Sequence, residues 1–99
     1  MKTKQLYFYI LEDLDRNNGH KVGITVNPNQ RLRTYRTQSP NCTFRAVYPI
    51  PDKSVETKLL YELSGAFKTV REVVYGPISI IQTIVEGYLN DHDILQTPE

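Results

Sequence analysis

Residues 6–11 read Leu-Tyr-Phe-Tyr-Ile-Leu, an unbroken apolar and aromatic run between polar flanks. Such a run is too short for a core helix and does not alternate, so it reads as a strand buried on both faces. A strand of that kind needs neighbours on both edges and cover above and below, which commits the chain to a sheet with helices packed on it.

The following elements fit that demand. Residues 13–19 supply clustered Asp and Asn and an Asn-Gly pair, residues that tolerate positive φ and form side-chain turns. Residues 20–26 resume β-branched character, so the first two strands are expected to form an antiparallel hairpin. Gly23 interrupts the second strand, marking either a bulge or a close approach by a ligand or a helix. Asn27-Pro28 then starts a helix, because Asn accepts orphan amide hydrogens and Pro at the first position has none to leave unpaired. That helix is expected to end near Gln38, since Ser39 precedes Pro40 and is pushed out of the helical region.

Residues 43–50 read as a third strand stopped by Pro49 and Pro51. A second helix, capped by Asp52 or Ser54, runs over residues 54–67 with Val55, Leu59, Leu60, Leu63 and Phe67 at helical spacing. Val73-Val74-Tyr75 forms a short extended piece before the Gly76-Pro77 turn, and Ile78, Ile81, Ile84, Val85, Tyr88 and Leu89 trace a third helix. The expected architecture is α/β (α+β) in the order β-β-α-β-α-(β)-α: a small three-stranded, mainly antiparallel sheet flanked by about three helices. One domain over residues 1–90 and a polar C-terminal tail over residues 91–99 account for the length.

Twelve Lys and Arg against eleven Asp and Glu leave a net charge of +1, which announces no polyanion partner. The distribution is more telling: residues 31–45 hold four basic residues (Arg31, Arg33, Arg36, Arg45) and no acid, whereas residues 86–99 hold four acids and no Lys or Arg. One basic face is expected to coexist with an acidic tail. The single cysteine, Cys42, has no internal disulfide partner, and two separated His with one Cys make no zinc spacing. No leader pattern opens the chain and no apolar run reaches membrane-spanning length, so a soluble, cytoplasmic protein with no membrane partner is expected.

In their order and spacing these residues resemble the GIY-YIG nuclease superfamily, and within it the compact phage-type T5orf172 and MUG113-like branch. Tyr7-Phe8-Tyr9 stands where the family has Gly-Ile-Tyr, and Lys21-Val22-Gly23-Ile24-Thr25 where it has Tyr-Ile-Gly. Arg31 falls at the family's essential Arg and Tyr35, one turn later, where a Tyr or His often sits. Glu56, on the next helix, matches the metal-binding Glu best, with Glu62 and Glu72 as rivals. The stretch 71–75 echoes the branch's Glu-Trp-Phe segment. The sequence departs from the pattern at Tyr7 and Lys21, and at Leu60, where the branch often carries a His.

The resemblance implies a metal-dependent endonuclease acting on DNA, with RNA not excluded, and a phage-type origin. Its catalytic set would be Tyr9, Lys21, Arg31, Tyr35 and Glu56, with Glu56 holding Mg²⁺ or Mn²⁺. Arg31 offers a planar fork matched to two phosphate oxygens. Tyr9 would orient or deprotonate the attacking water, and Lys21 would add a second cation, or act as base if burial lowered its pKa. Tyr7, Gly23, Arg33 and Arg36 would contact the nucleic acid, and a homodimer or partner protein would supply specificity. Each residue also has a plainer role: Tyr9 as a core tyrosine, the arginines as a solvated helix face, Glu56 as a complement to the helix dipole. The rival functions are a catalytically inactive nucleic-acid-binding module and a phage or host-defence protein-interaction domain.

Overall fold

The computed structural model describes residues 4–14 and 19–94. Five strands and three helices follow in the order β1 (Leu6–Asp13), β2 (Gly19–Thr25), α1 (Pro28–Arg36), β3 (Cys42–Ile50), α2 (Ser54–Ala66), β4 (Lys68–Val70), β5 (Val73–Tyr75) and α3 (Ile78–Asp91). The Asn-Gly turn expected between the first two strands lies largely outside the described residues, as does the end of the expected tail.

The strands form one sheet in the order β3-β1-β2-β5-β4, and every pairing is antiparallel. This corrects the expected three-stranded sheet to five strands. The apolar run 6–11 does take an interior position: Phe8, Tyr9 and Ile10 are almost wholly buried between β2 and β3. Val73–Tyr75 is a true strand, paired to β2 on one side and to β4 on the other. Lys68–Val70 escaped notice because its sequence is polar. It is created by pairing across a two-residue turn whose first residue, Arg71, takes a φ of 56°. A left-handed Arg is uncommon, and with neither Gly nor Asn in the turn nothing announces the reversal.

The two faces of the sheet are covered unequally. On one face Phe8, Ile10, Val22, Tyr48, Ile50 and Val74 meet Val55, Leu59 and Leu63 of α2 and Ile81, Val85 and Leu89 of α3. Each of those helix residues is almost fully buried, and burying one stabilises by roughly 1.5–3 kcal/mol relative to leaving it in water. The opposite face carries Tyr9, Leu11 and Cys42 under α1, which contributes only the half-buried Leu32 and Tyr35. A nine-residue helix with no fully buried side chain covers that face thinly, and the sheet beside it stays accessible.

Local chemistry sets the ends of α1. The Asn27 side chain accepts from the Gln30 amide at 3.2 Å and Pro28 follows it, as the sequence suggests. The helix stops two residues short of Gln38: Thr37 and Gln38 turn their amides onto the Thr34 and Tyr35 carbonyls, and the Thr37 hydroxyl bonds Thr34 O at 2.7 Å. Among the described residues no helix is long and apolar enough to cross a membrane.

Candidate functional site

Strand register places Tyr9 opposite Gly23 on one side and Val47 on the other, so its side chain rises on the α1 face. Gly23 is what makes room for it. A Cβ built at Gly23 would lie 2.7 Å from the Tyr9 hydroxyl oxygen and 3.0 Å from Cζ, so the phenol rests directly on the backbone of β2. The β1–β2 pairing runs through Gly23 without a register shift, and the irregularity in this sheet falls instead between β1 and β3, where Ile10 and Leu11 pair with Ala46 and Phe44 and Arg45 of β3 is the extra residue. The approach expected from a ligand or a helix is made by Tyr9 itself.

The Tyr9 hydroxyl meets the Tyr35 hydroxyl at 2.6 Å, with the rings edge to face at 6.0 Å. Phe44 packs on the other side of Tyr9 at 5.1 Å between centroids. Tyr9 is 1% exposed, and burial, then the bond to Tyr35, push its phenol far above the ordinary range. Arg31 opposes that shift and Glu72 adds to it, so a cation on α1 and a carboxylate at the β4–β5 turn both bear on the hydroxyl. The ammonium of the half-buried Lys21 lies 5.3 Å from the centre of the Tyr35 ring, within cation–π range. Tyr7 is half-buried two residues before Tyr9 on the same face, opposite Thr25 and Pro49.

Arg31 is exposed and, with Thr25, Val26, Asn27, Gln30 and Thr34, lines an open cavity of about 280 Å³ at the start of α1. Arg33 is exposed on the last turn of the helix. Arg36 is committed to structure, its Nε donating to the Cys42 carbonyl at 3.0 Å and tying α1 to the start of β3. The single basic face expected from residues 31–45 does not form. Arg45 is on the opposite side of the sheet, donating to Gln82 at 2.9 Å and lying 3.9 Å from Glu12. His20 is also on that side, paired with Val74 and 6% exposed, so it does not reach the α1 groove.

Glu56 occupies the first turn of α2, behind an Asp52 carboxylate that accepts from the Ser54 amide at 2.8 Å. Burial, then the Glu72 carboxylate, raise its pKa. Glu72 is therefore the acid whose field reaches both Glu56 and Tyr9. Its carbonyl accepts from the Val22 amide at 2.9 Å, which pins the β4–β5 turn against β2. Glu62 is elsewhere, beside Tyr88 and His92 on the surface of α2 and α3. The sequence offered Glu72 only as a rival acid. Its place depends on the β2–β5 pairing, which spans some fifty residues of chain.

Among the described residues no group of three or more His, Cys, Asp or Glu side chains is placed to hold a metal ion. Glu56 still fits a hard divalent cation, which can be held by one carboxylate with water and phosphate oxygens completing its shell. The Glu72 carboxylate opposes ionisation of Glu56, and a cation beside Glu56 would relieve that opposition.

No curated protein and no solved structure matches the chain. The T5orf172 domain family does, over residues 6–85. That span runs from the first residue of β1 into α3 and includes every residue of the cluster, so the chain belongs to the T5orf172 domain family.

Proposed function

We propose that this chain is a metal-dependent endonuclease of the GIY-YIG type that hydrolyses phosphodiester bonds in DNA. The T5orf172 family is associated with nuclease-like proteins. The observation that carries the finer reading is the buried Tyr9–Tyr35 hydroxyl pair, with Arg31 and Lys21 as nearby cations and Glu72 as an opposing carboxylate. Hydrolysis needs a phosphate held in place, a positioned water, somewhere for its proton to go and relief for the departing oxygen.

Arg31 holds the phosphate, its fork spanning two oxygens, and Lys21 adds a second positive charge on the side of Tyr35. The phenol of Tyr9 keeps its proton at neutral pH, so the tyrosine pair orients the water by hydrogen bonding, with Tyr35 as the outer member. The Glu72 carboxylate, whose field reaches Tyr9, takes the proton. Glu56 would hold Mg²⁺ or Mn²⁺, which when bound would supply positive charge for the phosphodiester and its departing oxygen. Tyr7 and Arg33 contact the nucleic acid on either side. A domain of this size has little surface for reading sequence, so specificity comes from a second copy or a partner protein.

A catalytically inactive nucleic-acid-binding module is the second reading, favoured by the near-complete burial of Tyr9. Incubation with plasmid and with single-stranded and branched DNA, in Mg²⁺, Mn²⁺ or EDTA, separates the two. Metal-dependent cutting lost in both Arg31→Ala and Glu56→Ala supports the endonuclease. Binding that needs Arg31 but not Glu56, without cutting, supports the inactive module.

A further inference from the structure

The cavity at the start of α1 is lined by Thr25, Val26, Asn27, Gln30, Arg31 and Thr34, with no carboxylate and no aromatic ring among them. Thr25 is opposite Tyr7 in the β1–β2 register and 7% exposed, so it forms the floor on the face that carries Tyr9. Most of the neutral polar groups are spent on the fold. The Asn27 side-chain oxygen accepts from the Gln30 amide at 3.2 Å, the Thr25 hydroxyl oxygen accepts from the Asn27 amide at 3.1 Å, and the Thr34 hydroxyl donates to the Gln30 carbonyl at 3.1 Å. The Gln30 side chain is left over, and the helix cap decides which way round it stands. With Asn27 Oδ1 engaged by a backbone amide, Nδ2 is the end of Asn27 that meets Gln30, and a donor there requires an acceptor, which is Gln30 Oε1 at 3.4 Å. Gln30 Nε2 is thereby turned away from Asn27, and no hydrogen bond among the described residues engages it.

We infer that Gln30 is a second ligand to the phosphate held by Arg31, donating from Nε2 to one of the oxygens that the guanidinium fork spans. The inference rests on the endonuclease reading for that phosphate. Neighbours in sequence point about a quarter-turn apart on a helix, yet Gln30 and Arg31 line the same cavity, so a phosphate seated there lies within the span of both. Each phosphate oxygen carries more lone pairs than one N–H of the fork fills, which leaves room for a neutral donor. Because no acid lines the cavity, nothing there opposes the anion. Without an aromatic ring in the wall there is no platform for a base, so the cavity takes the sugar-phosphate backbone, and the contact positions the strand without reading its sequence.

The test is the anisotropy of a labelled DNA hairpin with a single-stranded tail, titrated in EDTA, where no cutting occurs, over a series of salt concentrations. Gln30→Ala should weaken binding roughly tenfold at every salt concentration, the loss of one hydrogen bond to a charged group, and leave the dependence on salt as steep as in the wild type. Arg31→Ala should weaken binding and make that dependence shallower by about one phosphate contact. Gln30→Glu, which puts a carboxylate of the same shape into the cavity, should weaken binding further than Gln30→Ala does. The cap from Asn27 goes to the Gln30 backbone, so both variants keep it and should match the wild type in circular dichroism and melting temperature. Wild-type affinity in Gln30→Ala, with the dependence on Arg31 intact, overturns the Gln30 contact and leaves the endonuclease reading standing. A loss that comes with a shallower salt dependence or a lowered melting temperature also overturns it, since the effect then runs through Arg31 or the helix. Binding that ignores Arg31, or no binding at all, overturns both.

Discussion

The hydroxyls of Tyr9 and Tyr35 lie 2.6 Å apart, linking an interior strand of the sheet to the helix that covers its open face. Tyr35→Phe leaves the Tyr9 hydroxyl buried without that partner and should cost about 1–3 kcal/mol. Tyr9→Phe should cost less, because Tyr35 is half-buried and its hydroxyl regains water. The double variant should be more stable than the sum of the single losses implies, which urea unfolding of all four proteins measures. Strict additivity would mean that the contact carries no energy.

Gly23→Ala drives a methyl group into the Tyr9 phenol. A loss of about 1–3 kcal/mol is expected, typical of overpacking, together with a changed near-ultraviolet tyrosine signal. Combining it with Tyr9→Phe should recover part of the loss, since the nearest atom is the hydroxyl oxygen at 2.7 Å. No recovery would place the strain in the backbone.

The helix arginines should sort by their contacts. Arg33→Ala should leave the melting temperature unchanged and lower the salt dependence of DNA binding by about one phosphate contact. Arg36→Ala should instead cost about 1 kcal/mol of stability through its lost bond to the Cys42 carbonyl, with little change in the salt slope. Arg31→Lys should retain most of the binding and lose most of the cutting, because a point charge does not reproduce the fork. Equal effects at all three positions would reduce them to a diffuse charge.

Glu56 has its folded-state pKa raised by burial and by Glu72. The folded protein therefore holds that proton to higher pH than the unfolded chain does. The stabilisation is fully present below the unfolded value, roughly pH 4.3, and is lost as pH rises through the raised folded one. At neutral pH the charged form is a local liability, so Glu56→Gln should raise the melting temperature modestly while abolishing cutting. Mg²⁺ should stabilise the wild type and not the variant; equal stabilisation of both would remove Glu56 from the cation site.

His20 carries the opposite sign. Its Nδ1 is buried with no hydrogen-bond partner among the described residues, and burial lowers its pKa against the smaller pull of Glu12. The unfolded chain binds a proton that the folded chain refuses, so stability should fall as pH drops through the unfolded value near 6.5, by up to about 1.4 kcal/mol per pH unit. Chemical denaturation at intervals from pH 7.5 to roughly 5.5 tests this, and His20→Leu should flatten the profile.

Residues 6–11 could be read as an interior strand because a continuous apolar run of that length fits a strand buried on both faces. The Asn27-Pro28 start and the helical spacing of Val55, Leu59 and Leu63 were equally legible, since capping and periodicity act within one turn of the residues that show them. The order of elements followed, and so did the pairing of β1 with β2. Lys68–Val70 was not legible, because a three-residue polar segment becomes a strand only when β5 is beside it.

The site divides in the same way. Tyr9, Lys21, Arg31 and Tyr35 were nominated by the resemblance to the GIY-YIG superfamily, and strand register and helical turn bring them to one face. That Gly23 serves the Tyr9 ring, that Arg36 and Arg45 bond within the fold, and that Glu72 joins Glu56 were decided by contacts between segments far apart in the chain. Local sequence fixes backbone preference and the alternation of faces. Only the packed sheet fixes which side chains share a volume, and shared volume sets burial, charge and hydrogen bonding.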